Sequence, residues 1–393
     1  MDDVNRQILT HAERLAPRLV AVRQELHRHP ELAYQEVWTT ERLRTWLSEA
    51  GIAILPLNLP TGVVAEVRGA RPGPTVALRA DIDALPVQEE TGLPYASEIP
   101  GRMHACGHDF HMAAVLGAAW ILQALRHHLT GKVRILFQPA EEEASGARTL
   151  IAAGALEGVQ AIFGMHNKPD LPPGHVGIKA GPLMAATDTI SITVEGKGGH
   201  AAIPDAAQDP VVAAAAIVMA LQTVVSRNVS PLDSAVVTIG SFQAGTTHNV
   251  IPPSATLMGT VRTFTPAVRE RVRERIHRIV TDVAAAYGTV GKLSWLEGTP
   301  AVDNSPAMAE LMRRAAAKVG LTVVEAQPTM GGEDFAEYQR IVPGCFVWMG
   351  TGCPFGWHHP RFVVDESVIP QAATLFAQVA VEALASLQGQ GST

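Results

Sequence analysis

The sequence predicts an α/β fold in which a mostly parallel sheet is interrupted by an inserted domain of a different pattern. Towards both ends of the chain, short apolar runs typical of buried strands alternate with helical segments, which is the order of βαβ units. In the middle, polar and apolar residues alternate as they do in half-buried strands. A length of 393 residues, 47% of them hydrophobic, indicates two or three domains and allows a large core.

The first part of the chain predicts two helices and then strands that alternate with a helix. Leucines recur at helical spacing in the first fifty residues, and the second helix follows Pro30 and stops at Gly51. The first of these helices covers 9–26, and a third helix is predicted at 108–125. The predicted strands are at 63–67, 75–79, 133–137 and 161–165. In parallel sheets, functional residues gather just beyond the carboxyl ends of the strands.

The middle of the chain predicts a small domain inserted into the larger one. Its elements are a strand at 187–195, a helix at 208–227, strands at 235–242 and 256–263, a charged helix at 267–287 and a strand at 290–296. This β-α-β-β-α-β order is the ferredoxin-like arrangement.

After the insert the α/β pattern resumes. The predicted elements are helices at 307–319 and 369–387 and strands at 321–324 and 345–349. We therefore predict a discontinuous domain of residues 1–182 and 299–393 and an inserted domain of residues 183–298.

Composition excludes several classes of protein. A formal net charge of −7 argues against a nucleic-acid binder, which would show a basic stripe. Three cysteines are too few for a disulfide framework, so a reducing compartment is expected. The acidic start, Met1-Asp2-Asp3, lacks the pattern of a signal peptide, and we interpret the most apolar stretch, 211–225, as a buried helix. We expect a cytoplasmic protein that does not associate with membranes.

Metal-ligating residue types are concentrated between His104 and His111. Three imidazoles, the thiol of Cys106 and the carboxylate of Asp109 fall within eight positions at the start of a predicted helix. Neutral imidazole and thiolate are good ligands for zinc and similar divalent ions. A structural zinc site commonly uses Cys-x-x-Cys pairs, which this chain lacks, so the cluster favours a catalytic site with open positions.

Further candidate residues follow two predicted strands. Glu141 and Glu142 come directly after the strand at 133–137, and His166 closes the strand at 161–165. Two adjacent carboxylates allow one to bind metal while the other moves protons. Three more histidine motifs complete the candidates: Trp357-His358-His359-Pro360, Gly198-Gly199-His200 and Thr247-His248-Asn249.

Together these motifs resemble the M20 metallopeptidases, specifically the branch of the aminoacylases, hippurate hydrolases and auxin-conjugate amidohydrolases. The resemblance covers nearly the whole chain. In chain order its markers are Arg79-Ala-Asp81-Ile-Asp83-Ala-Leu-Pro86, His104-Ala-Cys106-Gly-His108-Asp109, Gln138-Pro-Ala-Glu141-Glu142, Gly164-Met-His166, Gly198-Gly-His200-Ala-Ala, His248-Asn249-Val-Ile-Pro252, Gly331-Gly-Glu-Asp334-Phe335 and His358-His-Pro360.

The resemblance implies a catalytic site with two divalent metal ions per subunit. Zinc or manganese is expected, with cobalt or nickel as further possibilities. Glu141 would be the general base, and Asp81 would orient a ligand. The implied metal ligands are Cys106 as the bridge, His108, Glu142, His166 and His358.

The resemblance also assigns roles to the insert, which would be a lid and dimerisation domain. His200 would stabilise the oxyanion, from its own chain or from a partner subunit, while Asn249 and Arg262 would bind the substrate carboxylate. Gly332 would form a wall of the pocket. Related members often carry His where this chain has Asp205.

The expected activity is hydrolysis of small N-acyl-L-amino acids by a homodimer or higher homo-oligomer. A dipeptidase or an N-acetyl-diaminopimelate deacetylase is an alternative of the same class. A cysteine-nucleophile amidase that uses Cys106 with His108, and a non-catalytic metal-binding protein, are alternatives of other classes.

Overall fold

The computed structural model describes residues 2–390. The chain forms two compact units. The first unit consists of the residues up to Leu183, Asp303–Gln327 and the residues from Asp334 onward, and the second consists of Met184–Val302 and Pro328–Glu333. The predicted domain boundaries and the lid role of the insert stay predictions.

Helices and strands alternate along most of the chain. In order they are α1 (Asp2–Arg28), α2 (Val37–Glu49), β1 (Ala53–Ile54), β2 (Val63–Arg68), β3 (Arg71–Asp81), α3 (His108–Ala124), β4 (Thr130–Gln138), α4 (Gly146–Ala152), β5 (Val159–Lys168), β6 (His175–Ile178), β7 (Gly181–Met184), β8 (Ala186–Glu195), β9 (Gly199–His200), α5 (Pro210–Asn228), β10 (Ala235–Ala244), β11 (Val250–Ile251), β12 (Ser254–Thr263), α6 (Pro266–Ala286), β13 (Val290–Glu297), β14 (Val302–Asn304), α7 (Pro306–Lys318), β15 (Thr322–Glu325), α8 (Phe335–Gln339), β16 (Gly344–Gly350) and α9 (Val368–Gln390).

The first unit is built on an eight-stranded sheet with the order β1-β2-β4-β3-β5-β16-β6-β15. Parallel pairing joins β4, β3, β5 and β16 at its centre, while β1, β2 and the β16–β6 pair are antiparallel. The central strands are nearly continuous runs of buried residues, as expected of a parallel sheet covered on both faces. The predicted α/β fold with a mixed, mostly parallel sheet is confirmed.

Helices α1, α3 and α9 pack closely in the first unit because α3 carries small residues. A Cβ atom on Gly117 of α3 would lie 2.8 Å from the Cβ of Ala373 in α9 and 2.8 Å from Cδ1 of Leu19 in α1. Any larger side chain at Gly117 would therefore push these helices apart.

The second unit carries a four-stranded antiparallel sheet with the order β10-β12-β8-β13. Its elements follow the predicted β-α-β-β-α-β order, with the short strands β9 and β11 as additions. Helices α5 and α6 supply its core together with β8 and β12. Both helices begin with Pro at the first position, and the side chains of Asp209 and Thr265 cap them.

The expectation that the apolar stretch at 211–225 is buried is wrong for one face of α5. Val212 is 50% exposed and Met219 is 72% exposed. Two helices of the described residues, α5 and α9, are long and apolar enough to cross a membrane by length and composition alone, which is weak evidence for a membrane span. Most of α9 is buried inside the first unit, as in the core helix of a globular protein.

A buried ion-pair network ties α1 to α3. The Nε atom of Arg23 lies 3.0 Å from Oδ2 of Asp109, and Nδ1 of His27 lies 2.8 Å from the same oxygen. Arg23 and Asp109 are almost completely buried. Although burial opposes the charged form, Arg23 and His27 hold the pKa of Asp109 well below its usual range.

We predict that Arg23→Met lowers the free energy of unfolding by about 3 kcal/mol, because it leaves a buried charge without its main partner. Glu49→Gln is the control, since Glu49 forms a 3.5 Å ion pair with Arg18 that is exposed on both sides. Denaturant unfolding should change by less than about 1 kcal/mol for this control. Equal changes in the two variants would contradict the prediction.

Candidate metal centre

Parallel strands bring polar side chains to one edge of the sheet in the first unit. β3 ends at Asp81 and β4 ends at Gln138, and these two residues pair in register. Glu141 and Glu142 follow β4 directly, and His166 lies near the carboxyl end of β5. Because β3 lies between β4 and β5, the residues that follow all three strands meet at the same edge.

The start of α3 brings two further donors to this edge. Gly107 caps the helix with a φ of 84°, a left-handed conformation that glycine adopts without strain. A Cβ atom at this position would lie 2.5 Å from Nδ2 of Asn167. Glycine therefore allows the sharp turn that places Cys106 and His108 on either side of it.

Two of the close groups of donor atoms share one thiol. The groups are Cys106, His108 and His166, and Cys106, Glu142 and His358, and within each group the donor atoms lie within 4.8 Å of one another. Sγ of Cys106 lies 3.2 Å from Nε2 of His166, and Nε2 of His358 lies 3.5 Å from Oε1 of Glu142. This arrangement can hold two ions with the thiolate between them.

The chemistry of the donor set fits divalent cations. Nε2 of His108 and Oε1 of Glu142 are buried without a hydrogen-bond partner, a costly state that a metal ion would relieve. Burial, together with Glu142 and Glu141, raises the pKa of the Cys106 thiol. Although burial opposes it, the nearby carboxylates of Asp81, Asp83 and Glu142 raise the pKa of His108 to about 10. The site therefore concentrates negative charge where a cation would bind.

Two residues of the site hold a backbone conformation that is rare outside glycine. Ala140, directly before Glu141, has a φ of 51°, and His358 has a φ of 62°. The N–H of His358 donates to the carbonyl of Ala105, 2.9 Å away. Left-handed residues of this kind persist when the surroundings hold them in place, and they concentrate at functional sites.

The family model for peptidase family M20/M25/M40 matches residues 77–382. The chain belongs to this family.

Similar proteins agree with this assignment. The N-acetylcysteine deacetylase of Bacillus subtilis is 51% identical over 372 residues, which cover 94% of this chain and 98% of that protein. The IAA-amino acid hydrolase ILR1-like 2 of Arabidopsis thaliana is 39% identical, with 95% and 87% covered. The crystal structure of the Bacillus subtilis YXEP protein, described as a dinuclear metal-binding peptidase of the M20 family, has a TM-score of 0.88 at 47% identity and covers 95% of this chain and 99% of that one.

This chain is therefore a metal-dependent amidohydrolase, as the sequence predicts. Its two donor groups and the dinuclear relative support two metal ions. The assignment of individual ligands stays a prediction.

Asp83 holds two of the predicted ligands and was missed as a site residue. Its backbone carbonyl and Oδ1 lie 2.8 and 3.2 Å from Nδ1 of His108, while Oδ2 accepts the backbone N–H of Glu142 at 3.0 Å. With Nδ1 of His108 occupied, Nε2 is left for metal. The Asp81-Ile-Asp83 motif could have pointed to Asp83, but spacing alone does not show which of the two aspartates contacts His108.

Asp81 contacts a histidine outside the predicted ligand set. Its Oδ1 lies 2.6 Å from Nδ1 of His111, whereas its Oδ2 lies 3.8 Å from Nε2 of His108. Nε2 of His111 accepts the backbone N–H of Asn167 at 3.0 Å. Both nitrogens of His111 are therefore hydrogen-bonded, although its ring also forms a close donor group with Asp81 and His108.

Asn167 connects three parts of the site. Its side-chain amide donates to the carbonyl of Cys106, and its Oδ1 accepts the indole N–H of Trp357 at 3.0 Å. Its carbonyl lies 2.8 Å from Nδ1 of His166, which leaves Nε2 of that ring facing the Cys106 thiol. Nothing in the sequence singles out Asn167, because its role depends on contacts with Cys106 and Trp357, which are distant along the chain.

A buried network lies next to Asp81 and was also not predicted. Arg79 donates to Asp81 at 2.7 Å and to Asp334 at 2.9 Å. Gln138 also donates to Asp334, at 2.8 Å, and Asp334 accepts the backbone N–H of Ala147 at 2.9 Å. Although burial opposes it, His108, His111 and Arg79 hold the pKa of Asp81 well below its usual range.

The remaining predicted residues lie in the second unit. His200 ends β9, Asn249 is exposed before β11, and Arg262 is half-buried in β12. Gly332 packs on Thr187, where a Cβ would lie 2.4 Å from Cγ2 of that residue. A Cβ at position 332 would therefore need the Thr187 side chain to move, and the part that these four residues take in binding stays a prediction.

We predict that His166→Asn lowers the metal content to about one ion per chain or less, because it removes a donor that has no substitute. His111→Gln should keep both ions, since Gln can still bridge Asp81 and the Asn167 backbone. Elemental analysis of dialysed protein measures the ratio. Loss of metal in His111→Gln with retention in His166→Asn would reverse the assignment.

Proposed function

We propose that this enzyme hydrolyses the amide bond of N-acyl-L-amino acids, releasing a carboxylate and a free amino acid. Its metal ligands would be Cys106 as the bridge with His108, Glu142, His166 and His358. The observation that carries the proposal is the pair of donor groups sharing Cys106, with Glu141 beside them. The names of the similar deacetylase and of the IAA-amino acid hydrolase support N-acyl amino acids as the substrate class.

Glu141 is suited to proton transfer. Its carboxylate forms a close group with His108 and Glu142, with donor atoms within 4.8 Å of one another. Two divalent ions at this site would polarise the amide carbonyl and acidify water. Glu141 would then accept the proton of the attacking water and deliver it to the leaving nitrogen.

His200 is proposed as the donor that stabilises the oxyanion. Its Nδ1 accepts the backbone N–H of Ala202 at 3.1 Å, so the ring proton of the neutral form resides on Nε2. The ring is exposed, and Nε2–H is therefore available for a tetrahedral oxyanion.

Arg262 and Asn249 are proposed to bind the substrate carboxylate. NH1 of Arg262 donates to the hydroxyl of Thr260 and to the carbonyl of Val261, which orients the guanidinium. Burial lowers the pKa of Arg262, so a carboxylate partner would stabilise its charge. Gly332 would form one wall of the pocket.

A thiolate bridge favours zinc, cobalt or nickel, and manganese stays an alternative. We propose that the enzyme acts in the cytoplasm.

We predict that Glu141→Gln lowers kcat by about 10³-fold while both metal ions stay bound, because the amide cannot accept the proton of water. Glu143→Gln is the matched control, since Glu143 is the exposed third carboxylate of the same run. Its kcat should stay within about threefold of the unaltered enzyme. Full activity of Glu141→Gln would favour a different base.

Substrate class is tested with N-acetyl-, N-benzoyl- and indoleacetyl-L-amino acids beside a dipeptide and N-acetyl-diaminopimelate. Hydrolysis of one of the first three, with no cleavage of the D-enantiomer, is expected. Cleavage of the dipeptide or of the diaminopimelate derivative alone would instead support those activities. Activity that survives removal of metal by a chelator would favour Cys106 as a nucleophile.

We also propose that the second unit forms a homodimer. Large apolar side chains are exposed on α5 and on the adjoining loop and edge strand, where Met219 is 72%, Leu232 96% and Phe242 43% exposed. Large exposed apolar side chains are typical of interaction sites, and β10 adds a strand at the edge of the sheet.

We predict that Met219→Glu shifts the protein towards monomer in sedimentation velocity, because it places a charge in the apolar interface. Ile341→Glu is the control, since Ile341 is 55% exposed in the first unit. A dimer that persists in Met219→Glu would place the interface elsewhere, and a monomeric unaltered protein would refute the homodimer.

A further inference from the structure

The segment that carries the proposed base has an unfavourable backbone. Residues 139–145, which we name the carboxylate loop, join β4 to α4. Ala140 and Ala144 in this loop have φ angles of 51° and 53°. A left-handed conformation costs a residue other than glycine about 1 kcal/mol or more. Because Ala140 immediately precedes Glu141, its conformation sets the direction in which the Glu141 side chain leaves the chain.

A buried carboxylate holds the Ala140 peptide from another part of the chain. Oε1 of Glu36 accepts the backbone N–H of Ala140 at 3.0 Å. Its Oε2 accepts the hydroxyl of Thr61 at 2.7 Å. Glu36 is completely buried, so both bonds form away from competing water.

Glu36 is itself fixed in place. It directly precedes α2, and its carbonyl accepts the backbone N–H of Thr40 at 3.0 Å in the first turn of that helix. The hydroxyl of Thr40 in turn accepts the backbone N–H of Gly62 at 2.8 Å. The carboxylate that accepts the Ala140 N–H thus extends from a point where α2 is hydrogen-bonded to the start of β2.

Other contacts hold the rest of the carboxylate loop. Asp83 accepts the backbone N–H of Glu142, and the Tyr34 hydroxyl lies 2.9 Å from the hydroxyls of both Ser145 and Thr149. Glu36 acts at the other end, on the peptide that leads into Glu141. The contacts of Tyr34 and Glu36 can therefore be separated by mutation.

We propose that Glu36 is a positioning residue for the general base, and that it acts by holding Ala140 in its left-handed conformation. This inference rests on the proposed role of Glu141. Glu36 acts through a hydrogen bond to the Ala140 backbone N–H, so an uncharged acceptor of the same shape can replace its carboxylate. Glu36 has no contact with substrate in this scheme.

The test compares Glu36→Gln with Glu36→Met in metal-loaded enzyme. Gln keeps an oxygen for the Ala140 N–H and an amide for the Thr61 hydroxyl, and its kcat should stay within about threefold of the unaltered enzyme. Met keeps the side-chain length but accepts no comparable bond, and kcat should fall about 10- to 100-fold with KM nearly unchanged. Both variants should keep two metal ions.

A second substitution separates positioning from general damage to the fold. Ala140→Gly removes the conformational penalty at this position, and it should restore part of the kcat lost in Glu36→Met. Tyr34→Phe is the matched control, since it removes the other bonds from the same segment to the loop, and its kcat should stay within about threefold. If Glu36→Met does not fold, Thr61→Val replaces it, with a smaller loss of kcat that Ala140→Gly also reverses.

The results that overturn the inference differ from those that overturn the function. Unaltered kcat in Glu36→Met, an equal loss in Glu36→Gln, or no recovery with Ala140→Gly would each exclude positioning by Glu36. An unaltered enzyme that cleaves none of the N-acyl amino acids, or a fully active Glu141→Gln, would refute the proposed function instead.

Discussion

Parallel pairing of β3 with β4 and β5 is the constraint on which the metal centre depends. The three strands end at one edge of the sheet, so residues that are 60 or more positions apart in the sequence come together there. The donors are short side chains, and small displacements of a strand would separate them. The buried, close-packed strands of this sheet provide the rigidity that a two-ion site requires.

Buried charged side chains near this edge are paired with opposite charges. Arg79 lies between Asp81 and Asp334, and Arg23 pairs with Asp109 beside α3. Isolated charges would be too costly at this depth, whereas paired ones specify which side chains must meet. Nε2 of His108 and Oε1 of Glu142 are exceptions, because they make no hydrogen bond. A metal ion bound at this edge would give both atoms a partner.

Strain and support occur together in the segments that carry the site. His358 and Ala140 have left-handed backbones, and each has its N–H bonded to a residue from another part of the chain. Hydrogen bonds of this kind hold ligands and base in one geometry before substrate arrives, which lowers the cost of reorganisation during the reaction. In the second unit, His200 has an exposed imidazole and Arg262 has a half-buried guanidinium.

Periodicity and residue chemistry are local properties, and for that reason they were enough to predict the fold class, most of the helices and strands, and the kind of site. The thiol, imidazoles and adjacent carboxylates indicated a catalytic metal site, and the resemblance of the motifs to the M20 metallopeptidases indicated a hydrolase. The choice between chemically similar neighbours needed the tertiary structure. Asp83 rather than Asp81 reaches His108, His111 has both nitrogens occupied, and Asn167 and Glu36 support the site from distant positions. The exposure of one face of α5 could not be predicted from its composition either, because an apolar helix can face a core or lie on the surface. These outcomes depend on which atoms lie within hydrogen-bonding distance or against solvent, and only the folded chain decides that.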